Sequence, residues 1–287
     1  MKIKDIISSN KVTVSFEIFP PKEWAKIEDT KEVVNALSVL SPAFMSVTYG
    51  AGGTTSSNTV EIASEVEKHG IPALAHITCV SSEKDKLRLV LDKLKENKIE
   101  NILALRGDIP TGVDFVNTSE YHHANELIKA IKKDYDFCVG GACYPEGHPE
   151  SQSFDKDIDC LKYKIDAGAD FLTSQMFFDN NIFYSFRYRM LRKNIDIPVI
   201  AGIMPVTNAK QITRITSLSG TMLPPKFKAI VDRFADNEAA MQQAGIAYAT
   251  EQIIDLIANG VNNIHVYTMN KPFVANTIMN SISEIIR

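Results

Sequence analysis

A glutamate inside an apolar segment is the residue of this chain whose position most suggests chemistry. Glu17 lies between Phe16 and the pair Ile18 and Phe19, and an ionisable group among apolar neighbours is costly unless it is partnered or functional. Burial favours the neutral form of a carboxyl group, so Glu17 is a candidate proton donor. The alternative is a core carboxylate that is paired with an arginine or a lysine of the same fold.

Further polar residues end other apolar segments of the chain. His76 and Gln175 lie in two such segments, and the tripeptide Arg106-Gly107-Asp108 ends another. Taken alone, His76 fits a hydrogen-bonded core histidine, and Gln175 fits a core polar residue equally well. The residues taken together are stronger evidence for a functional site than any one of them, because six apolar segments carry polar groups at their carboxyl ends.

The elements that would position these residues alternate between short β-rich segments and longer amphipathic helical patterns. Eight such repeats, about 30 residues apart, favour a closed (β/α)8 TIM barrel that forms a single domain over residues 1–287, and an open doubly wound sheet is the main alternative. The predicted strands are Val12–Phe19, Phe44–Gly50, Pro72–Cys79, Asn101–Asp108, Phe137–Pro145, Phe171–Phe178, Pro198–Pro205 and Asn262–Met269. The last connection is longer, and Leu223-Pro224-Pro225 indicates an extra loop and helix there. In such a barrel the carboxyl ends of the strands face the active site.

Composition excludes several classes of function. The net charge of −4 and the lack of a basic stripe argue against a nucleic-acid partner. No apolar run reaches the roughly 20 residues that span a membrane, and the amino terminus does not resemble a signal peptide, so we expect a cytoplasmic protein. The four cysteines should be reduced and mostly buried. Cys138 and Cys143 should face opposite sides of one strand, which argues against a metal site.

Common nucleotide and metal motifs are absent from the sequence. No G-x-G-x-x-G follows a predicted strand, and the glycine-rich segment 50–55 lacks the lysine of a phosphate-binding loop. Neither the H-E-x-x-H motif nor a nucleophile elbow is present. Any cofactor must therefore be held by the mouth of the barrel and its loops.

Six motifs together resemble the methylenetetrahydrofolate reductases, from Ser15 to about Lys271. They are Ser15-Phe16-Glu17 with Pro20-Pro21, Val47-Thr48-Tyr49-Gly50-Ala51, His76-Ile77-Thr78-Cys79, Ala104-Leu105-Arg106-Gly107-Asp108, Tyr144-Pro145-Glu146 with His148-Pro149-Glu150, and Asp166-Ala167-Gly168-Ala169. They occur in the family's order and near its spacing. The length resembles the short bacterial form of the family, which has no regulatory domain.

The resemblance implies a bound flavin, FAD rather than FMN, with NADH as the donor and methylenetetrahydrofolate as the substrate. The positions that match flavin contacts are Thr48, Tyr49, Ala51, His76, Arg106, Gly107, Asp108, Ala124, Tyr144, His148, Asp157 and Lys164. The positions that match folate contacts are Glu17, Asp108, Gln175, Gln211 and Lys271. The resemblance further implies that Glu17 is the general acid of a ping-pong reaction, and that Asp108 hydrogen-bonds the pterin and tunes the flavin by its charge.

Four positions depart from well-known members of the family. Lys271 replaces the usual arginine and loses its bidentate geometry. Cys160 and Tyr163 stand where those members carry polar or basic cofactor contacts, and Ile215 stands where they carry an aromatic residue. These departures concern the adenine end of the cofactor and the choice of donor, and they leave the expected fold and chemistry unchanged.

Two other functions remain open from the sequence. The chain would also suit a flavin-binding or pterin-binding subunit of a larger complex, which takes electrons from a partner protein instead of a nicotinamide. A barrel methyltransferase that binds a pterin without flavin is the second alternative. Barrels of this kind often associate, so a homo-oligomer is compatible with the reductase and with both alternatives.

Overall fold

The chain forms a closed barrel of eight parallel strands. A computed structural model describes residues 1–49, 56–80, 83–109 and 119–287. The strands are β1 (Thr13–Ile18), β2 (Met45–Val47), β3 (Ala73–Thr78), β4 (Asn101–Leu105), β5 (Cys138–Cys143), β6 (Phe171–Ser174), β7 (Val199–Ile203) and β8 (Asn263–Val266). Each strand pairs with the next in chain order, and β8 returns to pair with β1. The TIM-barrel prediction is therefore confirmed, and the open sheet is excluded.

Most helices connect successive strands on the outside of this barrel, whereas the first helix precedes β1 and the last follows β8. They are α1 (Ile3–Ile7), α2 (Ile27–Ser38), α3 (Ser56–Lys68), α4 (Lys84–Glu96), α5 (Ala124–Asp134), α6 (Phe154–Asp166), α7 (Asn180–Arg192), α8 (Ala209–Ser219), α9 (Pro225–Phe234), α10 (Glu238–Ala258) and α11 (Pro272–Ile282), with a short 3-10 turn at Trp24–Lys26. Three of these helices, α8 to α10, lie between β7 and β8. The predicted extra helix in this connection is confirmed.

Side chains along the strands alternate between the helical layer and the barrel interior. In β1 all six residues are buried. Phe16 and Ile18 belong to the large apolar cluster between strands and helices, whereas Ser15 and Glu17 face inward toward residues of other strands. Because successive strand residues point to opposite faces, this alternation places the carboxyl group of Glu17 inside the barrel.

The amino ends of the strands are closed by an apolar plug. Ile3 and Ile7 of α1 pack there with Phe44 and Phe171, all of them almost fully buried. Gly140 is required beside this plug, because a Cβ at this position would lie 2.5 Å from the Phe171 ring. Apolar side chains fill most of this end, and the buried side chain of Asn101 accepts a hydrogen bond there from the N–H of Ile3 at 2.7 Å.

The cysteines and the hydropathy pattern fit the sequence analysis. Cys79, Cys138 and Cys143 are buried, Cys160 is exposed, and all four are free thiols. Cys138 lies in the plug and Cys143 in the outer apolar cluster, so the two face opposite sides of β5 as predicted. Within the described ranges, no helix combines the length and the apolar character needed to cross a membrane.

Candidate active site

The carboxyl group of Glu17 lies near the carboxyl end of β1, inside the barrel. It is 7% exposed, and its Oε2 atom is 3.8 Å from Nε2 of His76 and 4.0 Å from Nε2 of His265. Among the described residues, no lysine or arginine forms an ion pair with it. The alternative of a core carboxylate that is paired with a permanent cation is therefore wrong for this part of the chain.

His76 has an unsatisfied ring nitrogen beside this carboxyl group. The side chain lies on β3, and its Nε2 atom is buried without a hydrogen-bond partner among the described residues. Burial lowers the pKa of His76 to about 4, although the neighbouring Glu17 acts in the opposite direction. The imidazole is therefore neutral near pH 7, and the alternative of a hydrogen-bonded core histidine is not supported for this nitrogen.

A second group of polar residues follows β4 and β5. Arg106 forms a bidentate ion pair with Glu150, with N···O distances of 2.5 and 2.8 Å. The ring of Tyr144 packs edge-on against His148, with 4.6 Å between their centroids. Burial raises the pKa of Tyr144 to about 12, and the charge of Asp108 adds to this effect. The structure thus brings the residues after two neighbouring strands together, as the sequence analysis predicts.

The backbone after β4 requires a glycine. Gly107 has a φ of +85°, and a Cβ there would lie 2.9 Å from Cβ of Thr78. A side chain at this position would therefore be strained and would collide with β3. Ala124, the other predicted contact in this region, begins α5 and is buried.

Helix α6 places Asp157 and Lys164 beside the end of β5. Lys164 donates a hydrogen bond from Nζ to the carbonyl oxygen of Ala142 at 2.6 Å. The backbone N–H of His148 donates to the carboxylate of Asp157, whose Oδ2 atom is buried without a partner in the described structure. Burial raises the pKa of Asp157 and lowers the pKa of Lys164. Both groups are held in surroundings that disfavour their charges.

The predicted folate contacts lie after β6, β7 and β8. Gln175 follows β6, and its Oε1 accepts a hydrogen bond from the N–H of Met176 at 3.0 Å. Gln211 lies in the first turn of α8. Lys271 precedes α11 and donates from Nζ to Oγ1 of Thr207 at 2.7 Å. All three are partly buried and lie at the barrel end where β1 carries Glu17, and their contact with folate stays a prediction.

The remaining predicted positions lie near the end of β2 and in α6 and α8. Thr48 and Tyr49 follow β2 directly and are partly buried, whereas Ala51 lies outside the described residues. Of the departures, Tyr163 and Cys160 are exposed on α6, and Ile215 packs against the apolar cluster beneath α8 to α10.

Two residues on β8 and its extension belong to the site, although the sequence analysis did not select them. His265 is 2% exposed and contacts Ser15 and Ser46 through its two ring nitrogens. Tyr267 donates a hydrogen bond to the carbonyl oxygen of Ser174 at 2.6 Å. Burial and the charge of Glu17 raise the pKa of Tyr267 well above its usual value. The spacing of two between these residues could have indicated that both face the interior.

Comparisons with known proteins agree on one family. The family model for methylenetetrahydrofolate reductase matches residues 2–283. The 5,10-methylenetetrahydrofolate reductase of Escherichia coli (strain K12) is 33% identical over 94% of this chain and 90% of its own length. Methylenetetrahydrofolate reductase (NADH) 1 of Arabidopsis thaliana is 35% identical over 94% of this chain, but the chain spans only 48% of that relative, about half its length.

A solved structure shares the fold at low sequence identity. It is an uncharacterized protein from Clostridium thermocellum that binds two copies of 5-methyl-5,6,7,8-tetrahydrofolic acid. The two chains superpose with a TM-score of 0.65 and 14% identity, and the match covers 99% of each. This likeness supports the barrel fold alone.

Proposed function

Because the chain belongs to the methylenetetrahydrofolate reductase family, we propose that it reduces 5,10-methylenetetrahydrofolate to 5-methyltetrahydrofolate, with FAD as cofactor and NADH as donor in a ping-pong sequence. The barrel as a whole is the catalytic domain. The observation that carries the proposal is the Glu17 carboxyl group, which is buried inside the barrel with two histidines and no permanent cation beside it in the described structure. A carboxyl group in such surroundings is suited to donate a proton to a substrate.

The residues at this end of the barrel fit a flavin. Nε2 of His76 and Oδ2 of Asp157 are buried and lack hydrogen-bond partners in the described structure, and buried polar groups are normally satisfied. A ligand with both donors and acceptors would complete them. Arg106, His148 and Lys164 supply the positive or donor groups that an anionic cofactor requires. A reduced flavin supplies the hydride when it is bound.

The chain's own residues supply the proton and the position of the substrate. Glu17 transfers a proton from its carboxyl group to a nitrogen of the methylene bridge, so that the ring opens to a reactive iminium. Asp108, exposed after β4, accepts hydrogen bonds from the pterin. Gln175 and Lys271 orient the folate, and Lys271 holds a carboxylate less directionally than an arginine would.

An absorbance experiment tests this proposal. Purified protein should show a flavin spectrum, lose the yellow absorbance with NADH, and regain it when methylenetetrahydrofolate is added. Bleaching by dithionite but not by NADH would point to a partner protein as electron source and overturn the assignment of the donor. A colourless protein that does not take up added FAD would contradict the flavin assignment and favour a pterin-binding methyltransferase.

A further inference from the structure

The turn that follows β8 holds the end of β1 through its side chains. The ladder between the two strands ends with Phe16 opposite Val266, one residue before Glu17. Beyond that point, the hydroxyl of Thr268 donates a hydrogen bond to the backbone carbonyl oxygen of Glu17 at 2.8 Å. Thr268 is 1% exposed, so this hydrogen bond is shielded from water. The threonine side chain thus continues a pairing that the strand backbones have already ended.

Asn270 adds two hydrogen bonds to the segment that follows β1. Its Oδ1 atom accepts from the backbone N–H of Phe19 at 2.9 Å, and its Nδ2 atom donates to the carbonyl oxygen of the same residue at 2.8 Å. A side-chain amide has both an acceptor atom and a donor atom, whereas an ionised aspartate of the same shape has acceptors only. The asparagine therefore satisfies both backbone groups of Phe19 at once.

The backbone of this turn adopts a conformation that its residues rarely choose. The N–H of Lys271 donates to the carbonyl oxygen of Thr268 at 3.1 Å, which closes a four-residue turn. Met269 and Asn270 in its middle both have a φ of +54°, in the left-handed region that favours glycine. Other residues keep such a conformation only where the surrounding structure requires it, and they concentrate at functional sites.

The carboxyl group of Glu17 depends on its backbone for its position. The Nε2 atoms of His76 and His265 lie 3.8 and 4.0 Å from Oε2 of Glu17, which is beyond the length of a hydrogen bond. Within the described ranges, no lysine or arginine pairs with the group either. Because the side chain has no close polar contact in this part of the structure, the course of β1 decides where the carboxyl group lies.

We propose that Thr268 and Asn270 are positioning residues, which set the place of the Glu17 carboxyl group by fixing the backbone at Glu17 and at Phe19. This role rests on the proposed function, since it concerns the proton donor of folate reduction. The same turn leads into Lys271, an expected folate contact, so it also fixes the donor relative to the substrate. A misplacement of about 1 Å at a reacting group can slow a reaction by about a hundredfold.

The variant Asn270→Gly separates positioning from folding. Glycine adopts a φ of +54° without strain, so the substitution removes both hydrogen bonds to Phe19 and still favours the turn. In the holoprotein, flavin reoxidation by saturating methylenetetrahydrofolate should be slower by at least about tenfold, whereas flavin reduction by NADH should stay within about twofold of the wild type. The control Asn194→Gly relieves the same left-handed backbone, with a φ of +56°, at an exposed position after α7. It should change neither half-reaction.

Two substitutions at Thr268 test the contact with Glu17. Thr268→Val keeps the branched shape of the side chain but removes the hydroxyl, so flavin reoxidation by methylenetetrahydrofolate should slow by about fivefold. Thr268→Ser keeps the hydroxyl and should stay within about twofold of the wild type. If Asn270→Gly does not fold, this pair carries the test alone. Equal reoxidation rates in the two variants would contradict the role of the hydroxyl.

Amide hydrogen exchange gives a measurement that does not depend on the reaction. The N–H of Phe19 should exchange at least about tenfold faster in Asn270→Gly than in the wild type, while the N–H of Met45, which donates to the carbonyl oxygen of Pro72, should be unchanged. Unchanged exchange at Phe19, wild-type reoxidation in Asn270→Gly, or an equal loss in both half-reactions would overturn the inference. If the wild type does not reduce methylenetetrahydrofolate, the proposed function fails, and exchange at Phe19 then decides whether the turn holds β1.

Discussion

The burial of His76 predicts a loss of stability in mild acid. In the folded protein the pKa of His76 is about 4, against 6.5 for a free imidazole, because burial penalises the charged ring. The unfolded chain therefore binds a proton at this residue at a pH where the folded protein does not. Its contribution to the free energy of unfolding is complete above about pH 6.5 and declines as the pH falls from there toward 4.

The size of this effect follows from the two pKa values. A difference of one pKa unit corresponds to about 1.4 kcal/mol. Near pH 5 the ring is almost fully protonated in the unfolded chain and almost neutral in the folded protein, so the linkage costs about 2 kcal/mol relative to pH 8. That loss is a substantial fraction of the free energy of unfolding of a typical domain, which is about 5–15 kcal/mol.

Urea denaturation of flavin-free protein at both pH values measures this effect. In His76→Gln the position no longer titrates, so the decrease in unfolding free energy between pH 8 and pH 5 should be about 2 kcal/mol smaller than in the wild type. His69→Gln is the matched control, because His69 lies on the outside of the barrel after α3, with 28% of its side chain exposed. The reasoning is refuted if His76→Gln loses as much stability as the wild type over this range.

Two further substitutions test the packing and the charges around the site. A Cβ at Gly202 would collide with the backbone carbonyl oxygen of Ser174 and would lie 2.5 Å from the hydroxyl oxygen of Tyr267, so Gly202→Ala should lower the free energy of unfolding by about 1–3 kcal/mol and displace β6, the Tyr267 ring or both. Gly141→Ala is its control on β5, where the nearest atom would lie at 3.4 Å, and thermal melts compare the two. Glu150→Gln should change stability by less than about 1 kcal/mol, because the carboxylate is 63% exposed. The same change should tighten FAD binding by freeing Arg106, and weaker binding in a fluorescence titration would contradict this.

The fold was predictable because each strand lies in its own short, apolar, β-rich segment of the sequence. All eight predicted segments contain a strand, but every strand is shorter than its predicted segment. The segment Phe44–Gly50, for example, contains β2 at Met45–Val47. An apolar pattern continues past the last residue that pairs in the ladder, so hydropathy overestimates strand length. Pairing itself depends on the neighbouring strand, which the local pattern does not describe.

The site was predictable in part, for a similar reason. The side chains of Glu17 and His76 both point into the barrel, and their positions toward the carboxyl ends of β1 and β3 place them at a similar height. The contacts of His265 with Ser15 and Ser46 depend on the register of three strands. Each of these serines taken singly is an ordinary strand residue, so a single sequence gives no sign that they meet beneath the carboxyl group.

The half-reactions of Glu17→Gln test the central claim most directly. Stopped-flow absorbance should show flavin reduction by NADH within about twofold of the wild type, because this step needs no proton from Glu17. Reoxidation by methylenetetrahydrofolate should be slower by at least about a hundredfold, because glutamine cannot donate the proton. Reoxidation at the wild-type rate in this variant would contradict the assignment of Glu17 as the general acid.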